Sequence, residues 1–137
     1  MSQENVEIVR GLLARWEQDD YDTVEAFDPQ VEFTRTGGGS DVLGYATKSH
    51  GIEGLWAAIV AWAEEWSDHR VHAERFIEVG ERVLVLVLVR QSAVGKRSGV
   101  PMNNVDAWVF SIGDGRIVRW DVYWDPADAN RALGLEE

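Results

Sequence analysis

The chain has 137 residues, with 45% hydrophobic and 27% charged residues and a formal net charge of −11. This length and composition predict one globular domain spanning residues 1–137. The absence of cysteine excludes disulfides and thiolate catalysis, and the acidic balance argues against binding to nucleic acid or to an anionic membrane surface.

The N-terminal half predicts two helices, a strand, a long loop and a second long helix, in that order. Glu4–Trp16 carries an apolar stripe at helical spacing, and a short helix is expected at about Asp22–Phe27. Val31–Arg35 alternates as a strand does. Thr36–His50 shows no apolar period and is predicted to be a loop, whereas Ile52–Trp66 is apolar at helical spacing.

The C-terminal half predicts four strands and a terminal helix. Strands are expected at about Arg70–Val79 and Glu81–Gln91, and the apolar run Val83–Val89 needs cover on both faces. Two more strands flank the turn Asp114-Gly115, and a helix is expected between Asp125 and Gly134. This order predicts an α+β fold, a cystatin-like α+β roll in which a strongly curved, mostly antiparallel sheet wraps around the long helix and leaves a cone-shaped cavity.

The hairpin around Asp114-Gly115 gives the clearest indication of a functional site. Regular pairing from a two-residue turn places Trp108 opposite Asp121. One face then combines aromatic and polar side chains, namely Asp106, Trp108, Phe110, Arg119, Asp121 and Tyr123. Aromatic walls with a few polar groups are typical of small-molecule pockets. We expect these side chains to line a pocket, and the helix-side or rim wall to come from Trp16, Phe33 or Trp56.

The opposite face of the same hairpin is predicted to be apolar. It would carry Val105, Ala107, Val109, Val118, Trp120, Val122 and Trp124. Because so large an apolar surface is not left in water, we expect a homodimer paired through this face, unless a terminal helix covers it within one chain. An extra residue in the hairpin would shift one strand and turn its side chains over, and Asp106 would then leave the site.

Several segments resemble the SnoaL-like branch of the nuclear transport factor 2-like fold. They are Tyr45, Gly51–Gly54, Val79–Val85 and most clearly Gly113–Arg119, followed by Tyr123, Asp125, Ala129 and Ala132–Leu135. The resemblance covers nearly the whole chain and implies this fold. The family includes polyketide cyclases, epoxide hydrolases, ketosteroid isomerases, dehydratases and non-catalytic ligand binders, so the resemblance implies no single activity.

Asp106 and Asp121 are the candidate catalytic carboxylates, and Arg119 is expected to hold both. Two nearby carboxylates in an apolar cavity cannot both ionise cheaply, so one acts as an acid near neutral pH and the other remains a base. The set resembles the Asp-Arg-Asp arrangement of limonene epoxide hydrolases. A lone Asp121 would resemble the acid/base aspartate of the polyketide cyclases.

These resemblances imply a cofactor-free acid/base enzyme of isomerase, cyclase or hydrolase type. Its substrate would be a small, largely apolar molecule of polyketide, steroid or terpenoid kind. Two alternatives remain: a non-catalytic ligand-binding protein, in which Arg119 only neutralises Asp121, or a dimeric interaction module without a ligand.

The remaining expectations concern metals and location. His69 and His72 lie three residues apart on a predicted strand and would face opposite sides, so no metal or other cofactor is expected. No apolar N-terminal run resembles a signal peptide, and we expect a cytoplasmic protein that does not enter a membrane.

Overall fold

The computed structural model describes residues 2–37, 48–79 and 84–134. Its helices are α1 (Ser2–Glu17), α2 (Gly51–Glu65) and α3 (Pro126–Leu133), with a short 3₁₀ turn at Val24–Ala26. Its strands are β1 (Phe27–Thr36), β2 (Lys48–His50), β3 (Trp66–Val79), β4 (Leu84–Gly95), β5 (Pro101–Gly113) and β6 (Arg116–Tyr123). Most of the predicted loop and the predicted junction at Gly80 lie outside the described residues. Within the described ranges, no helix is both long and apolar enough to cross a membrane.

The six strands form one curved, unclosed sheet in the order β2-β1-β6-β5-β4-β3. All neighbouring strands are antiparallel except β1 and β6, which run parallel. Helices α1 and α2 pack on one face, called the inner face, and α3 packs on the other, called the outer face. The predicted α+β class with a curved, mostly antiparallel sheet is confirmed.

The apolar strand β4 is covered on both sides, as the sequence predicts. On the inner face, Val85, Val87 and Val89 are fully buried in the core that contains the apolar stripe of α1. On the outer face, Leu86 is buried in a second cluster that contains Ala129 of α3. A strand with no polar side is therefore stable here because helices of the same chain lie on both of its faces.

The β5–β6 hairpin begins as predicted. Asp114 and Gly115 have positive φ angles of 53° and 79°, which the tight two-residue hairpin turn requires. Gly113 pairs with Arg116 directly beyond this turn.

A β-bulge close to the turn then shifts the register. Ser111 pairs with Arg119 instead of Val118, so Val118 is one extra residue on β6. Gly113 lies against this bulge, since a Cβ added to it would come 3.2 Å from Val118 Cγ1. A larger residue than glycine would therefore crowd the bulge.

The bulge turns the rest of β6 over, and the facing predicted from regular pairing is wrong from residue 119 onward. Trp108 pairs with Val122 and not with Asp121. Trp120 and Val122 therefore face the helices and are only 6% and 8% exposed. The residues that move to the outer face are Arg119, Asp121 and Tyr123.

The outer face is consequently not the apolar surface from which a homodimer was predicted. Two of its expected residues, Trp120 and Val122, belong to the inner core. In addition, α3 packs over Ala107 and Val109 of β5 through Ala129. A homodimer stays a prediction, but the apolar face that motivated it is reduced and is partly covered by the chain's own terminal helix.

We predict that Trp120→Ala destabilises the fold by about 3 to 5 kcal/mol, the usual cost of truncating a large buried aromatic side chain. The Trp120 ring lies 5.0 to 6.4 Å, centroid to centroid, from the rings of Trp16, Phe27, Phe33, Trp108 and Phe110. Urea unfolding followed by circular dichroism measures the loss.

Trp56→Ala is the matched control, because Trp56 is 53% exposed and its truncation should change the free energy of unfolding far less. If Trp120→Ala unfolded like the wild type but altered the oligomeric state, the residue would lie on an outer interface and the bulged register would be wrong.

Candidate functional site

A cavity of about 380 Å³ lies between the inner face of the sheet and the helices, a volume typical of sites for small ligands. Its walls are largely apolar: the aromatic lining residues are Trp16, Tyr21, Trp56, Trp62, Trp66, Trp108 and Trp120, and the aliphatic ones are Ile59, Val60, Ala63, Val71 and Val122. The polar and charged side chains that line it are Asp19, Arg35, His69, Gln91 and Asp106.

The structure brings together four of the nine side chains that the sequence predicted for the site. Asp106, Trp108, Trp16 and Trp56 line the cavity. Phe33 and Phe110 are fully buried in the adjoining core and are not among its lining residues. The other three, Arg119, Asp121 and Tyr123, lie on the opposite face of the sheet because of the bulge at Val118.

Asp106 is one of two acidic residues that line the cavity in the described part of the chain, and its side chain is fully buried. Its Oδ2 accepts hydrogen bonds from Gln91 Nε2 at 2.5 Å and from Trp108 Nε1 at 3.0 Å. Its Oδ1 accepts one from Asn104 Nδ2. All three donors are neutral, and none of the described residues forms an ion pair with Asp106.

Burial raises the pKa of Asp106 from 3.8 to about 6, although the hydrogen bonds from Trp108, Asn104 and Gln91 and the positive charge of Arg35 oppose this shift. Removal from water disfavours the carboxylate more than three neutral donors favour it. Asp106 therefore exchanges a proton close to neutral pH, which is the range a general acid or base needs.

Gln91 links Asp106 to a histidine that also lines the cavity. While its Nε2 donates to Asp106, its Oε1 lies 2.8 Å from His69 Nε2. Burial lowers the pKa of His69. The hydrogen bond with Gln91 raises it by less, and the positive charge of Arg35 lowers it further. Burial therefore favours the neutral form of His69, and three polar side chains form one hydrogen-bonded chain along the wall.

A second β-bulge points His69 into the cavity. Ser67 pairs with Val94 but Arg70 pairs with Ser92, which leaves one extra residue on β3 between these pairs. Asp68, within this bulge, has a positive φ of 54°. Because of the extra residue, Trp66 and His69 both line the cavity although they are three positions apart.

His72 contacts α1 outside the cavity instead, with its Nδ1 3.3 Å from Glu17 Oε2. Nowhere in residues 2–37, 48–79 and 84–134 do three histidine, aspartate or glutamate side chains cluster closely enough to hold a metal ion.

Sequence reasoning missed His69, Gln91 and Arg35. Gln91 continues the inner-face alternation of Val85, Val87 and Val89, so a polar residue at a buried position was the available signal. Arg35 likewise follows Val31 and Phe33 on β1. His69 had no such signal, because its direction depends on the bulge.

Asp121 takes part in a different cluster on the outer face. Arg119 Nε donates to its Oδ2 at 2.9 Å and to its Oδ1 at 3.1 Å, and Thr34 Oγ1 donates to Oδ1 at 2.5 Å. Arg119 Nη1 also contacts Glu32 at 2.9 Å. These bonds join β1 to β6, and the predicted Asp106–Arg119–Asp121 site is not formed.

Comparisons with known proteins agree with this fold. A model of the SnoaL-like domain matches residues 9–120. An NTF2-like protein of unknown function from Burkholderia pseudomallei is 22% identical, with a TM-score of 0.77 over 95% of this chain and 97% of that one. None of the curated proteins compared with the chain matches it.

Two further solved structures are similar. A candidate SnoaL-like polyketide cyclase from Jannaschia sp. CCS1 is 18% identical, with a TM-score of 0.73 over 98% of this chain and 94% of that one. An LEH-like epoxide hydrolase from M. tuberculosis is 21% identical, with a TM-score of 0.63 over 96% and 90%. At such identities these structures show a shared fold alone.

We predict that Asp106 makes the protein less stable as the pH rises from about 4 to about 6. In this window the folded protein keeps a proton on Asp106, whose pKa is about 6, while the unfolded chain, with a pKa near 3.8, has lost it. The stabilisation from protonated Asp106 is present at low pH and is lost as the pH rises through the pKa of Asp106 in the folded protein. The shift corresponds to roughly 3 kcal/mol.

Urea unfolding of the wild type and of Asp106→Asn at intervals from pH 4 to pH 8 isolates this effect, because other titrating groups cancel in the difference. The wild type should lose free energy of unfolding relative to the variant up to about pH 6 to 7, and the difference should then level off. A difference that stayed constant across this range would show that Asp106 has an ordinary pKa.

Proposed function

Since the chain belongs to the SnoaL-like domain family, we propose that it is a cofactor-free acid/base enzyme of isomerase, cyclase or hydrolase type, in which Asp106 exchanges a proton with the substrate. The observation that carries this proposal is the fully buried Asp106 in the wall of an aromatic cavity. Its pKa of about 6 suits proton exchange near neutral pH.

The proposed substrate is a small, largely apolar molecule that carries at least one oxygen. Seven aromatic side chains line the cavity and favour a ring or a conjugated system. The indole N–H of Trp120 is buried and has no hydrogen-bond partner among the residues described. Since a buried donor without an acceptor is costly, a ligand oxygen that accepts from it would bind favourably.

The names of the similar structures support the same chemical class. One is named as a candidate polyketide cyclase and another as an epoxide hydrolase, and both reactions use proton transfer to or from oxygen or carbon. The Asp-Arg-Asp arrangement expected from the epoxide hydrolases does not carry over, because Asp121 and Arg119 lie outside the cavity.

A non-catalytic ligand-binding protein is the second candidate, and one observation favours it. Asp106 accepts three hydrogen bonds from side chains of its own chain. A carboxylate held in this way can have a purely structural role, in which it orients the Trp108 indole in the cavity wall. A homodimer and a cytoplasmic location stay predictions under either candidate.

We predict that Asp106→Asn lowers kcat/KM by roughly 10²- to 10⁴-fold, the usual contribution of a general acid or base. A suitable screen contains enolisable ketones, β-keto esters and terpenoid epoxides, with products followed by chiral chromatography. Asp121→Asn is the matched control: this carboxylate is on the neighbouring strand but faces outward, so its variant should stay within a few-fold of the wild type.

Two outcomes would decide against the enzyme. Equal turnover by the wild type and by Asp106→Asn would remove Asp106 from the chemistry. Saturable quenching of tryptophan fluorescence by compounds of the screen, without turnover of any of them, would favour the ligand-binding protein.

A further inference from the structure

We propose that His69 is a second catalytic group in the cavity and that Gln91 is the positioning residue that holds it in register with Asp106. The inference rests on the proposed function and adds to it, because it makes proton transfer bifunctional. Three observations support it: the His69 side chain points into the cavity, the order of donors and acceptors links it to Asp106 through Gln91, and charged groups surround the ring.

The direction of His69 comes from the bulge at Asp68. A regular strand would put Trp66 and His69 on opposite faces, and the bulge brings both to the cavity. Aspartate in the left-handed region is less favourable than glycine there, so this geometry is held at some cost in backbone strain. Bulges that redirect a side chain in this way are common beside active sites.

The polarity of the chain fixes the tautomer of His69. Gln91 has one amide nitrogen and one carbonyl oxygen, and the nitrogen donates to Asp106 Oδ2. The carbonyl oxygen therefore faces His69, and His69 Nε2 must carry the proton to donate to it. In the neutral ring Nδ1 is then a lone-pair acceptor, and none of the described side chains donates to it.

The charged and titratable groups around His69 lie on several elements. Arg35 on β1 disfavours a positive charge on the ring, whereas Asp19, just after α1, favours it. Asp106 on β5 is reached through Gln91, and Tyr21 lines the same cavity. The dominant influence is burial, which disfavours both the imidazolium and the carboxylate. Burial therefore favours the pair with its one proton on Asp106 over the ion pair of imidazolium and carboxylate.

In the proposed step, His69 Nδ1 takes a proton from a C–H or O–H group of the substrate, and the electron pair of that bond stays with the substrate. Asp106 gives its proton to a second substrate atom, which forms the new bond. The pair is left as imidazolium and carboxylate, and proton exchange with water restores the neutral groups. Substrates that must lose a proton at one atom and gain one at another fit this arrangement, as in a proton-shift isomerisation or a carbonyl-addition cyclisation.

The first test needs no substrate. Multiple-bond ¹H–¹⁵N spectra of the imidazole nitrogens should show His69 neutral at pH 7, with the proton on Nε2. Asp106→Asn removes the negative charge that Asp106 carries above its pKa of about 6 and should shift the His69 titration to lower pH, whereas Asp121→Asn on the outer face should leave it unchanged. Gln91→Met, of similar size but unable to accept the bond, should abolish the Nε2–H preference.

Three results would overturn the proposal. They are a positively charged His69 at pH 7, a neutral ring with its proton on Nδ1, and a His69 titration that Asp106→Asn leaves unchanged. Circular dichroism of each variant shows whether it folds. If Gln91→Met did not fold, the tautomer and the response to Asp106→Asn would still decide the outcome.

The second test uses whichever compound of the screen is turned over. The wild type should give a bell-shaped profile of kcat/KM against pH, which reports the singly protonated pair. His69→Asn should lower kcat/KM by about 10²-fold or more and lose the acidic limb, because no base remains to be protonated. His72→Asn, on the same strand but outside the cavity, should keep both limbs.

The two proposals fail in different ways. If Asp106→Asn abolished turnover while His69→Asn kept the full rate and both limbs of the pH profile, the protein would still be an enzyme that uses Asp106. The catalytic role of His69 would then be wrong. If Asp106→Asn kept full activity, the proposed function itself would fall.

Discussion

The extra residue at Val118 is the constraint on which the rest of the cavity depends. Beyond it, β6 presents Trp120 to the aromatic core and Asp121 to the outer face. The regular register would bury the Arg119 guanidinium, whose side chain is 44% exposed here, beneath the helices together with Asp121, and would turn the Trp120 indole to the outer face. Taking a charge out of water costs several kcal/mol before any gain from pairing, whereas a buried tryptophan stabilises the fold. The bulged register is therefore the one in which the hydrophobic effect and the electrostatics agree.

Because of this bulge the two carboxylates have opposite environments although they lie on neighbouring strands. Asp121 is held by a guanidinium and a hydroxyl, in an arrangement that joins two parallel strands. Asp106 is held only by neutral amide and indole donors in a cavity, so desolvation dominates and the pKa rises. Proton chemistry is therefore proposed for the carboxylate without a cation bonded to it, and a structural role suits the other.

The sequence predicted those features that depend on local patterns. The helical stripe of α1 was recognised from periodicity, α3 from its Asp125 cap and Gly134, and the hairpin turn from Asp114-Gly115. Asp106 and Trp108 lie on the cavity side of the sheet because β5 alternates without interruption up to the bulge. The facing of β6 was not predictable by the same rule, since Val118 fits either face and only the space left by Gly113 hints at the bulge. The facing of His69 was not predictable for the same reason, because the bulge at Asp68 leaves no periodic signal in the sequence.

Two single-residue insertions, at Asp68 in β3 and at Val118 in β6, thus bring His69 into the cavity and keep Asp121 out of it. Neither changes the order of the strands or the packing of the helices, and the overall fold matches structures of about 20% identity throughout. A bulge shifts every later side chain of its strand to the other face, so a conserved fold can exchange its catalytic groups by the gain or loss of one residue. For this reason a catalytic residue cannot be carried between such proteins by strand position alone, and the chemistry has to be read from the side chains that face the cavity.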